Sequence, residues 1–168
     1  MARASSLRDD VGYPRAALAG FVAGASVSIL AAALRRVGVP VELERTIGLL
    51  FAADRSGTLG VAVVIHLALS SILGMIYAGL IVRVMRKRDW YDGVLIAPLH
   101  LIVAGALTVV VPYVHPRMPT MIATPGPFLS NGGMHAIAAF VALHLVFGVT
   151  FGMLFTTPSA SPVPQRRR

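Results

Sequence analysis

Four apolar stretches, residues 16–34, 59–82, 93–114 and 136–155, occupy most of a 168-residue chain, and each is as long as a bilayer is thick. A helix rising about 1.5 Å per residue needs about 20 apolar residues to cross hydrocarbon. Nothing inside a bilayer can hydrogen-bond an open backbone, so only helices and closed barrels span it, and these runs lack the ten-residue alternation of barrel strands. The pattern predicts an all-α polytopic membrane protein, a four-transmembrane-helix bundle. The transmembrane domain covers 16–156, between a tail at 1–15 and a disordered basic tail at 157–168.

Composition agrees. With 56% hydrophobic and 13% charged residues, a soluble chain of this size would carry more apolar surface than it could bury, so lipid covers the remainder. The net charge of +8 does not argue for nucleic acid, because the basic residues flank the spans, where lipid headgroups lie. Arg3, Arg8, Arg15, Arg83, Arg86, Lys87, Arg88, Arg166, Arg167 and Arg168 fall on one side of the membrane; Arg35, Arg36, Arg45, Arg55 and Arg117 fall on the other. This bias predicts a multi-pass protein with both termini in the cytoplasm. Arg35 and Arg36 weaken it only if they do not snorkel to the outer interface. A signal peptide is the competing reading of the first span, but the run is too long for one and Asp9 and Asp10 interrupt its positive region. The chain has no cysteine, which excludes disulfide and thiol chemistry.

The connections differ in character. Residues 41–55 place Leu43, Ile47, Leu50, Phe51 and Asp54 near one helical face, predicting an amphipathic helix on the outer surface. The second connection, R-K-R-D-W-Y-D, is short and basic, which predicts a tight hairpin and makes spans two and three antiparallel neighbours. The third, from His115 to His135, has four prolines and three glycines and cannot be a regular helix; an ordered cap or a re-entrant loop is expected.

The two halves share a pattern. H-L-A-L-S-S-I-L-G-M-I-Y begins at His66 and H-L-V-F-G-V-T-F-G-M-L-F begins 78 positions later at His144, while Gly20 and Gly93 open spans one and three. Two parallel two-helix repeats would produce this, as would chance similarity between apolar sequences. Small residues mark the packing faces: Gly20, Gly24 and Ser28 in span one, Ser70 and Gly74 in span two, Gly148 and Gly152 in span four. Such spacing lets backbones approach closely in lipid, within one chain or between copies.

His66 and His144 lie on the same faces as those small residues and at comparable depth, so they should point into the bundle. Three readings stay open: interhelical hydrogen bonding, ligation of haem b or another metal by this pair, and a proton or solute pathway. His100, counted from Gly93, lies closer to the opposite face and does not readily join them. In the third connection His115, Met118 and Met121 form a candidate copper set, since thioether and imidazole suit Cu(I), although methionine equally plugs loops into lipid. No acidic or basic residue falls inside spans two to four short of their ends, and no zinc-protease motif, phosphate loop or nucleophile–base–carboxylate set is present. Enzymatic chemistry is therefore not expected.

Span four, G-G-M-H-A-I-A-A-F-V-A-L-H-L-V-F-G-V-T-F-G-M-L-F, resembles the closing segment of small four-span bacterial inner-membrane proteins of unassigned function, in which His-Leu-x-aromatic-Gly precedes a second glycine. The resemblance implies four spans and a bacterial inner membrane, and no activity. The sequence supports a non-enzymatic membrane component packing against itself or other membrane subunits. Its alternatives are a haem- or metal-binding electron-transfer subunit and an oligomeric small-solute conduit.

Overall fold

The computed structural model describes residues 11–51, 57–85 and 89–156. Residues 1–10 and 157–168 of the expected tails, Asp54 and Arg55 of the first connection, and the R-K-R run of the second lie outside the described residues; 13–15 of the expected first tail belong to the first helix. Six helical segments carry the chain, with no strand among the described residues: α1 Tyr13–Arg36, α2 Leu43–Leu49, α3 Thr58–Leu80, α4 Trp90–Val114, a 3-10 turn Pro127–Gly132, and α5 Met134–Thr156. α3 continues into a π-helical turn, Ile81–Met85. Four helices, α1, α3 with its extension, α4 and α5, are long and apolar enough to cross a membrane. The chain is a multi-pass membrane protein with an all-α, four-helix bundle.

Local chemistry sets the helix ends. Pro14 opens α1, where a missing N–H costs nothing, and Gly38 closes the turn after it with φ at 87°. α4 begins in a reciprocal capping box: the Asp89 side chain accepts from the Asp92 backbone, and the Asp92 carboxylate accepts from the Asp89 N–H at 2.8 Å. Pro98 and Pro112 lie within α4, where neighbouring helices tolerate them.

α1 and α5 form the central pair, with Ala16, Ala19 and Ala23 sharing one buried cluster with Phe147, Phe151 and Phe155. α3 packs on the outside of α1 and α4 on the outside of α5. Each flanking contact is a glycine crossing. A Cβ on Gly20 would meet the Ser70 carbonyl and Gly74, and one on Gly24 would strike the Ser70 side chain. A Cβ on Gly93 would meet the Gly148 carbonyl and Gly152. The small residues are thus used inside the chain, where backbone approach replaces solvent exclusion as the source of tight packing.

Spans two and three are not the lengthwise neighbours that their short connection suggests. The backbones of α3 and α4 do not pack on each other; α4 instead approaches the π turn of α3 near the connection. Each helix is held by its glycine crossing to a different central helix, which leaves a cleft between the two. At one end of the bundle the first and third connections fold over this cleft. α2 is shorter than the amphipathic helix expected over 41–55 and does not lie on the surface. Glu44, Thr46, Gly48 and Leu49 are buried, and Gly48 sits against the start of α3. The third connection dips inward: Phe128 donates its N–H to Thr108 Oγ1 at 3.0 Å and lays its ring over Gly105, while Leu129 is buried beside α5. Both residues hold positive φ, 52° and 64°, a strained state that persists only where packing over-determines it.

Candidate functional site: an intramembrane cavity lined by histidines

The cleft between α3 and α4 encloses a cavity of about 320 Å³. Val27 and Ala31 of α1 and Phe140, Leu143 and Phe147 of α5 form its back wall, and Leu43 and Ile47 of α2 close its loop end. Leu69 of α3 and Leu107 of α4 line it and are also 49% and 57% exposed, so these two side chains border both the cavity and the lipid-facing surface. Its walls are chiefly apolar, and its polar groups are His66, His100, His144, Glu44, Ser70 and Thr108.

His66 Nδ1 lies 2.8 Å from Ser28 Oγ of α1 and 3.2 Å from Glu44 Oε1 of α2. Glu44 is only 6% exposed and pairs through Oε2 with Arg35 at 3.1 Å. Arg35 also donates to the Val41 carbonyl at 3.0 Å, so it ties α2 to the end of α1 rather than snorkelling outward. Burial pushes the Glu44 carboxyl up, but its polar neighbours His66 and Ser28 and the positive charge of Arg35 outweigh that effect and hold it below the ordinary carboxylate range. The His66 ring is shared between Ser28 and the carboxylate, so Oε1 has His66 Nδ1 as a polar partner at 3.2 Å.

His144 is buried, and its Nδ1 lies 2.7 Å from the Phe140 carbonyl one turn back. A carbonyl only accepts, so Nδ1 carries the proton and Nε2 of the neutral ring is an acceptor. The ring packs edge-to-face against Phe140 and His100, with centroids 4.3 and 4.6 Å away. His100 therefore does join His144, contrary to the depth expected from the sequence. α4 begins at Trp90 and not at Gly93, which puts His100 about 4.5 Å deeper at helical rise. Its Nδ1 lies 3.4 Å from the Tyr77 hydroxyl of α3, a bridge across the cleft at the end away from the loops.

His115 lies apart from this group. Its Nε2 donates to the Thr46 carbonyl at 3.0 Å, and its Nδ1 accepts the Arg117 N–H at 3.2 Å. The Arg117 guanidinium meets the Leu49 carbonyl. Both ring nitrogens are engaged by backbone, so this histidine stitches the third connection to α2. Met118 and Met121 follow it in the turns of that connection. Among the described residues no three His, Cys, Asp or Glu side chains converge in a way that could hold a metal ion.

The sequence reading missed Glu44 because it looked for acids only within the spans and placed 41–55 on the surface. The available signal was local: Glu44 lies three and four positions before Ile47 and Gly48, on the face that docks, nine positions after a basic residue at a span's end. Similarity to known proteins adds no role for these residues: no protein-family model matches the chain, and the comparisons with curated proteins and with solved structures produced no match.

Proposed function

We propose that this chain is a non-enzymatic membrane protein whose cavity takes up a small lipid-soluble molecule from the bilayer. The observation that carries this reading is that Leu69 and Leu107 border both the cavity and the lipid-facing surface, which puts an apolar-walled, polar-centred cavity within reach of lipid. Ligand pockets commonly have this character, apolar walls with a few placed polar groups, and volumes from about 300 Å³ upward. The glycine crossings favour this reading over a subunit whose small-residue stripes serve partner helices, since those stripes are occupied within the chain. The matched crossings, Gly20 on Gly74 and Gly93 on Gly152, also support two halves descended from one two-span unit. Charge bias and the resemblance of span four support a bacterial inner membrane with both termini in the cytoplasm.

The test is to fill the cavity. Ala104 lines it, and Ala104→Trp would occupy much of the space. Wild-type protein purified in mild detergent should carry a lipophile at near-stoichiometric amount by mass spectrometry of its organic extract, and folded Ala104→Trp protein should carry little. Equal extracts from the two would reject a cavity ligand. An absorption spectrum of the same preparation separates a haem from a colourless ligand.

A further inference from the structure

Resting on that reading, we infer that the ligand's head is a neutral hydrogen-bond donor on an aromatic ring, a phenolic hydroxyl, received by Glu44 or His144. Two of the cavity's polar groups, His144 and Glu44, present acceptors. His144 presents a bare Nε2, because the Phe140 carbonyl fixes the proton on Nδ1. Glu44 presents Oε1, buried, with His66 Nδ1 at 3.2 Å. A carboxylate oxygen accepts more than one hydrogen bond, and a donor arriving with the ligand can use the capacity that His66 leaves open. His66 belongs to the same set: a carboxylate 3.2 Å from Nδ1 favours the tautomer with the proton there, which leaves Nε2 bare. Thr108, a candidate donor, gives its proton to the Gly105 carbonyl at 2.6 Å. At Glu44 and His144 a ligand offering only carbonyls or ethers would meet acceptor against acceptor.

Two further observations narrow the class. Arg35 already neutralises Glu44, so an ammonium head would find no net negative charge to compensate it. Phe140, Phe147, His100 and His144 present ring faces and edges to the cavity and already pack edge-to-face with one another, the arrangement into which another aromatic ring fits. The ring would lie among these side chains, its hydroxyl toward Glu44 or His144, and its apolar tail would leave between Leu69 and Leu107 into lipid.

The probes are 4-nonylphenol and 4-nonylanisole, which share a shape and differ in the donor proton, and dodecylamine, which carries a cationic head. Binding of each is measured by equilibrium partition into phosphatidylcholine nanodiscs with and without the full-length protein. The phenol should bind to the protein about tenfold more tightly than the ether, the discrimination expected of one well-made hydrogen bond. His144→Phe, which keeps a ring and removes the acceptor, should lower phenol binding several-fold and leave the ether unchanged; Glu44→Leu, which removes both acceptor oxygens, supplies the second variant if His144→Phe does not fold. Equal binding of phenol and ether overturns the donor inference while leaving the cavity reading intact. Tighter binding of dodecylamine than of the phenol overturns it in favour of a cationic head. Protein-independent partition of all three probes removes the cavity reading and this inference together.

Discussion

Arg35 and Glu44 meet at 3.1 Å where α2 folds back over the bundle, with Ser28 and His66 as the other polar groups facing the carboxylate. The folded Glu44 carboxyl titrates below its ordinary value of 4.5, so its stabilising contribution is fully present above that value and is lost as pH falls through the lower, folded one. Glu44→Gln should therefore lower the Tm of detergent-purified protein at pH 7, by the equivalent of about 1.5–3 kcal/mol for hydrogen bonds to a charged group. The difference from wild type should vanish in acid below the carboxylate range. A Tm difference that is constant with pH would mean that the side chain contributes by packing alone. His115 makes a contrasting case. Both of its nitrogens bond to backbone, so His115→Ala should loosen the third connection, seen as faster proteolysis there, without altering the occupancy of the cavity.

At the scale of helices, the crossings at Gly20 and Gly93 set the bundle's geometry. Gly20→Ala or Gly93→Ala pushes a methyl against a backbone carbonyl that cannot rotate away, and each should destabilise by about 1–3 kcal/mol in detergent unfolding. Gly60→Ala and Gly79→Ala, which open onto empty space in α3, should be neutral or slightly stabilising through helix propensity. If all four behave alike, the crossings are not what holds the helices. This contrast also marks what was legible in the sequence. The four spans followed from run length, because the bilayer imposes it, and the four-residue spacing of Gly20, Gly24, Ser70 and Gly74 marked packing faces. Which faces meet was not legible. Apolar spans show almost no periodic polar side to orient them, and the short second connection suggested a hairpin that the crossings pull apart. Tyr77 and His100 touch across the cleft, and Glu44 enters it, only through that unforeseen arrangement.

For the molecule as a whole, a lateral opening between Leu69 and Leu107 predicts an accessibility pattern. The chain contains no cysteine, so Leu69→Cys and Leu107→Cys introduce single thiols at the two sides of the mouth. A lipid-soluble maleimide in nanodiscs should label both, and 4-nonylphenol should slow that labelling; protection from a membrane-impermeant maleimide is expected at both positions. Labelling by the impermeant reagent would mean that the mouth faces water. The pairing of α1 with α5 has a further consequence, for biogenesis. The first of the four helices to enter the membrane finds the second of its two partners only when the last arrives, since Ala16, Ala19 and Ala23 close against Phe147, Phe151 and Phe155. Until then α1 and α3 can form their crossing, but the face of α1 that closes on α5 is covered by lipid alone. A ribosome stalled after α4 would hold an inserted yet unfinished protein, so a defect confined to α5 should be read by membrane quality control as a failure of the entire chain.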